Sequence, residues 1–126
     1  RGNDANRYMA SGGYERLAEA VFPRTAADVL LLEYDDERSG GFAPLAHVPE
    51  DRIVVLGLVS TKRAELESEE ELRARIDEAS TFVALERLAL STQCGFASLA
   101  KGNDLTLEQE ERKLELVARV AHAVWG

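Results

Sequence analysis

Apolar residues cluster along the chain in two ways, and the two alternate. Three short runs are nearly continuous in hydrophobic and β-branched residues: 28–34 (DVLLLEY), 52–59 (RIVVLGLV) and 88–92 (LALST). Continuity without strict alternation is what a strand covered on both faces of a parallel sheet requires. Between these runs the apolar positions recur at three- and four-residue spacing. Leu72, Ile76, Ala79 and Val83 form one such stripe, behind a Ser68-Glu69-Glu70-Glu71 capping box. Leu114, Val117, Ala121 and Val124 form another, behind a Thr106-Leu107-Glu108-Gln109 box. A shorter helix is expected over 13–21, with Leu17, Ala20 and Val21 inward and Pro23 as its stop. The piece at 44–47 reads as one helical turn or none.

The order is helix, strand, short helix, strand, helix, strand, helix. Such alternation calls for right-handed crossovers and a parallel α/β sheet. The strand ends at Tyr34, Ser60 and Thr92 are 26 and 32 residues apart, close to the roughly 30 of a repeating strand–helix unit. One more unit backwards lands at the first residues, so Arg1-Gly2-Asn3 is expected to be a loop just past a preceding strand. The expectation is the C-terminal portion of a TIM (βα)8 barrel, whose usual length is about 250 residues, with residues 1–126 its final strand–helix units.

Composition narrows the function. Of 126 residues, 15 are Lys or Arg and 23 Asp or Glu, a formal charge of −8, which argues against a nucleic-acid partner. No apolar run reaches the ~18 residues of a membrane span. The sole cysteine, Cys94, fits a cytoplasmic setting.

The loops after the strands share one face, where parallel sheets place their chemistry. This rim offers Asn3, Glu33-Tyr34-Asp35-Asp36, Ser60-Thr61-Lys62 and Ser91-Thr92-Gln93-Cys94. Glu33 stands in an otherwise apolar strand, where an unpaired carboxylate is costly; it reads as a metal ligand, a general base or a strand-end partner of Arg or Lys. Cys94, ahead of Gly95, reads first as a small buried hydrophobe, and otherwise as a thiolate ligand or nucleophile. His47 and His122 lie away from this rim, so Cys–His catalysis lacks a base and metal ligation is the better functional use. Two ligands are short of the three that a catalytic zinc takes. Gly12-Gly13 and Gly40-Gly41 lack phosphate-loop spacing and read as flexible elements. The run Asp35-Asp36-Glu37-Arg38 reads as a solvated loop.

The segments RGN at 1–3, LLLEYDDERSGGFAPL, VVLGLVSTK ending at Lys62 and LSTQCGFAS ending at Ser98 resemble the cobalamin-independent methionine synthase family, in its short single-barrel branch. The resemblance covers essentially the whole chain as the last third of that barrel. It implies a zinc-dependent methyltransferase that moves a methyl group from a methylated folate to the thiol of homocysteine, forming methionine. Glu33 and Cys94 match the family's glutamate and final cysteine ligands; a His-any-Cys pair immediately before Arg1 would supply the other two. Lys62 stands where the longer synthases carry a proton-donating histidine, so the methyl donor is open. Related epoxyalkane–coenzyme M transferases imply another acceptor thiol as the alternative. From a different class, DVLLLEYDD with Lys62 has a superficial likeness to a receiver-type signalling module, against which Glu33 stands where an aspartate is needed. The implied partners are a small-molecule thiol, a methyl donor and the remainder of the barrel. By itself the 126-residue chain is expected to bind zinc weakly and to be inactive.

Overall fold

The computed structural model describes residues 3–4, 7–8, 12–97 and 102–126. Strands β1 (Asn3–Asp4) and β2 (Arg7–Tyr8) form a small antiparallel pair with Asn3 opposite Tyr8. Asn3 is therefore paired backbone and not the open loop expected of 1–3; Arg1 and Gly2 lie outside the described residues. The main sheet holds β3 (Val29–Glu33), β4 (Ile53–Val59) and β5 (Leu88–Thr92), adjacent in that order and parallel throughout. The three apolar runs thus become the strands their composition requires.

One face of this sheet carries the core. Leu30, Val54 and Leu88 align in one row and Leu32, Leu56 and Leu90 in the next, all buried. Against them pack α2 (Glu69–Ser80) and α3 (Leu107–Trp125). Helix α2 and the turn after it bury Leu72, Ile76, Ala79 and Val83, the stripe legible at three- and four-residue spacing. The Ser68 hydroxyl accepts from the Glu71 amide at 3.0 Å, whereas the Thr106–Gln109 box closes in both directions, at 3.3 and 2.8 Å. At its far end α3 is fastened by the Trp125 indole N–H, which donates to the Leu85 carbonyl at 3.0 Å. On the opposite sheet face several apolar side chains are open among the described residues: Leu31 is 73 % exposed, Ile53 44 % and Val29 40 %.

Three expectations change. The first helix, α1, spans only Ala18–Val21 and tightens into a 3-10 turn at Phe22–Arg24 around Pro23. Ala18 and Phe22 are buried in place of Leu17, Ala20 and Val21, because that turn brings the Phe22 ring within 5.9 Å of Tyr14. On α3 the buried row is Lys113, Leu116 and Val120, with Val117 and Val124 at its flank and Leu114 exposed. A lysine on the inward face displaced the predicted stripe by about one residue. In each glycine pair one member sits in a close approach, while Gly12 and Gly41 face open space. Gly40 has φ 72°, and a Cβ there would run into the Glu15 carboxylate. A Cβ on Gly13 would lie 2.6 Å from the Ser39 carbonyl, so both glycines permit the 12–15 turn to press on the 37–40 turn. The piece at 44–47 belongs to a 3-10 helix, Ala43–His47.

Candidate functional site

Glu33 closes β3, half-buried, its amide donating to the Tyr14 hydroxyl at 2.9 Å. In register it stands beside Gly57 and then Ser91, so all three belong to the face that carries Leu31. Gly57 leaves the middle of this row without a side chain. A Cβ there would meet Gln93 Cα at 3.0 Å, the Leu32 carbonyl at 3.1 Å and the Thr92 carbonyl at 3.2 Å. The pairing then slips: Gly57 aligns with Ser91 but Val59 with Thr92. The extra residue in β4 is a bulge, of the kind that re-aims side chains beside functional sites. It lets the end of β5 fold in, with Gln93 N–H donating to the Val59 carbonyl at 2.7 Å.

Cys94 follows two residues after β5 and is exposed, not buried as the packing reading required. The Thr92 hydroxyl holds its backbone by donating to the Cys94 carbonyl at 2.9 Å. Cys94 lines a cavity of about 330 Å³ with Ser91, Gly57, Leu31 and Leu32. Glu33 lines a neighbouring one of about 360 Å³ with Tyr14, Leu17 and the same two leucines. The two candidate ligands therefore border adjoining hollows that share Leu31 and Leu32.

Lys62 ties the three strand ends together. Its ammonium donates to Gln93 Oε1 at 2.6 Å and stands 3.6 Å from Asp35 Oδ2, with the lysine side chain only 7 % exposed. Gln93 directly precedes Cys94, and Asp35 is two residues beyond Glu33. The Thr61 hydroxyl adds a bond to the same Gln93 oxygen at 3.2 Å. Asp35 is 5 % exposed, so the solvated-loop reading of the acidic run fails at its first residue. Asp36 instead takes Arg38, through Nε at 2.8 Å and Nη2 at 2.7 Å. Tyr34 turns to the helix side, fully buried against the rings of Phe42 (4.6 Å) and Tyr14 (5.3 Å), which removes it from the rim's open face. Ser60 is buried as well, its amide donating to Glu67 Oε1 at 2.9 Å.

That bond leads to two residues the sequence reading missed. Glu67 Oε2 accepts from Lys113 at 3.1 Å, and the same ammonium donates to the Glu65 carbonyl at 2.7 Å, with the Lys113 side chain 0 % exposed. Its signal was its place on the apolar row three residues before Leu116. Arg75 was missed too: its guanidinium lies 5.1 Å from the Phe42 ring centre and donates to the Tyr34 carbonyl at 2.6 Å. Burial lowers its pKa from the ordinary arginine value, against the opposing pull of Glu78 and Asp35.

Among the described residues no three His, Cys, Asp or Glu side chains converge on a metal-sized space. Beside the hollows that share Leu31 and Leu32 stand the Glu33 carboxylate and the accessible Cys94 thiol, a donor pair suited to part of a tetrahedral zinc site. His47 and His122 are both exposed on outer elements.

A model of the cobalamin-independent synthase catalytic domain matches residues 14–121. Two Bacillus subtilis (strain 168) proteins, YxjG and YxjH, both described as uncharacterized, are 50 % and 49 % identical to the chain over 126 residues. In each case 99 % of this chain aligns with 33 % of the relative, so the chain spans about a third of the curated relatives it matches. A putative vitamin-B12 independent methionine synthase from Listeria monocytogenes superposes with TM-score 0.64 at 35 % identity, over 91 % of this chain and 33 % of that one. A B12-independent methionine synthase from Shewanella sp. W3-18-1, in complex with selenomethionine, superposes at 0.71 with 21 % identity, over 88 % and 30 %, and bears on fold alone. The parallel strands and their helices are thus a portion of a (βα)8 barrel. Register, helix placement and the sequence match lead to one assignment: the chain belongs to the cobalamin-independent synthase catalytic-domain family.

Proposed function

We propose that residues 1–126 are the final strand–helix units of a zinc-dependent methyltransferase barrel that transfers a methyl group from a methylated folate to the thiol of homocysteine. The observation that carries this reading is the rim itself. Glu33 and exposed Cys94 border hollows that share Leu31 and Leu32, and Lys62 joins the loops that bear them. Glu33 and Cys94 supply two zinc donors, and the part of the barrel that precedes Arg1 supplies the others. Bound zinc would favour the thiolate of the acceptor, whose ordinary pKa of about 8.5 leaves it mostly protonated at neutral pH.

The chain's own residues do the holding. Gly57 keeps the row between Glu33 and Ser91 open, and the β4 bulge with Gln93 fixes where Cys94 begins. Lys62, engaged with Gln93 and Asp35, serves to lock the rim in this reading, not to protonate the leaving nitrogen. That commitment favours a second reading in which the alkyl donor is not a methylated folate while thiol alkylation is retained. The family match displaces the receiver-like alternative.

The test uses the intact barrel protein with homocysteine, assayed with methyltetrahydrofolate and with other alkyl donors. Bound zinc near one per chain, activity abolished by chelation, and loss of at least tenfold in zinc affinity in Glu33→Gln and Cys94→Ser are expected. Full zinc binding in both variants would refute the ligand assignment.

A further inference from the structure

Among the described residues, Tyr14 supplies the only side-chain hydroxyl on the wall of the hollow beside Glu33. Its place is set at both ends. The Tyr14 carbonyl accepts from the Leu17 and Ala18 amides at 3.0 and 2.9 Å, which roots it in the turn that opens α1. Its ring packs on Phe22 at 5.9 Å and Tyr34 at 5.3 Å, and its phenol oxygen accepts from the Glu33 N–H at 2.9 Å. That N–H points away from β4. Successive amides of a strand in a parallel ladder face alternate sides, and the next one, of Tyr34, donates to the Gly57 carbonyl on β4 at 3.0 Å. The Glu33 amide therefore stands on the edge of β3 where a preceding barrel strand would pair, and a side chain takes the place of that strand's carbonyl. The bond also clamps the Glu33 Cα. The peptide before it is held by Tyr14, the peptide after it by Gly57, and the Tyr34 carbonyl by Arg75 at 2.6 Å. With the backbone fixed on either side, the direction in which the carboxylate leaves the strand is fixed as well.

We propose that Tyr14 is a positioning residue for Glu33: its phenol ends backbone pairing along this edge of β3 at residue 33 and so holds the carboxylate at the open end of the strand, toward the ion that Glu33 and Cys94 grip. The assignment rests on the metal reading of Glu33. Tyr14 supplies no ligand and acts through Glu33. Backbone pairing at this point would bring a strand to within about 4.8 Å of β3. The phenol reaches the same amide from the turn before α1 and leaves room at the mouth.

Zinc titration and cobalt(II) substitution of the intact barrel protein test it. Tyr14→Phe keeps the ring on Phe22 and Tyr34 and deletes only the acceptor. Its zinc affinity should fall about tenfold, the lower end of what hydrogen-bond partners behind a ligand supply, and its cobalt(II) d–d bands should shift. Its unfolding midpoint should stay within about 4 °C of native. Phe42→Leu loosens the same aromatic cluster from the far side of Tyr34 and leaves the phenol bond in place. It should lower the midpoint without changing zinc affinity or the cobalt spectrum. Native affinity with a native spectrum in Tyr14→Phe, or an equal loss of affinity in Phe42→Leu, would overturn the assignment and leave the ligand role of Glu33 standing. An intact native protein that takes up no zinc would overturn both.

Discussion

Single atoms decide the geometry of the rim. Gly57 is the position where the smallest change has the largest expected effect, because a methyl group there meets backbone on β3 and β5, which cannot rotate away. Gly57→Ala should destabilise the intact barrel by about 2 kcal/mol, the order of an overpacked core. It should also weaken zinc binding by displacing Gln93 and Cys94, read by thermal unfolding and metal titration; a variant with native stability and native zinc affinity would contradict this account. At this scale the place of Glu33 at a strand end was legible from the sequence, as one carboxylate closing an apolar run. Asp35 was not. What surrounds it comes from Lys62 and Arg75, 27 and 40 residues away, so the local run of acids gave no sign that its first member is enclosed. Cys94 misled in the opposite direction: composition favours burial of a lone cysteine, and only the end of β5 shows it open to solvent.

Among the elements, the three strands and α2 were readable because their apolar periodicity and their tertiary burial agree. Helix α3 was readable in extent but not in orientation. Its inward row begins with a lysine, which pattern reading assigns to water, and which is buried because Glu67 and the Glu65 carbonyl accept its hydrogen bonds. Helix α1 failed for a different reason, since a four-residue helix is settled by the contacts of Tyr14 and Phe22 and not by propensity. Removing one partner of an enclosed ion pair leaves the other charge stranded. Lys113→Met should therefore cost about 3 kcal/mol in chemical denaturation of the intact barrel. The double variant Lys113→Met, Glu67→Gln should recover at least half of that loss, because the stranded carboxylate is gone. A single variant within about 0.5 kcal/mol of the native protein would show that the pair contributes little.

Across the whole molecule the unusual property is one-sidedness. A parallel sheet is ordinarily covered on both faces, yet here Val29, Leu31 and Ile53 are open and, among the described residues, β3 and β5 are both sheet edges. The 126-residue chain by itself should associate, with light scattering that rises with concentration, and supplying the remaining barrel segments should suppress it. A monodisperse monomer with one cooperative unfolding transition would count against the barrel-portion reading. The last helix also carries its own optical reporter. Trp125 is the sole indole of the chain and is fastened by one hydrogen bond to the carbonyl of Leu85. Its emission should shift to the red when the C-terminal helix detaches, so undocking of that helix can be timed separately from loss of the sheet without attaching any dye.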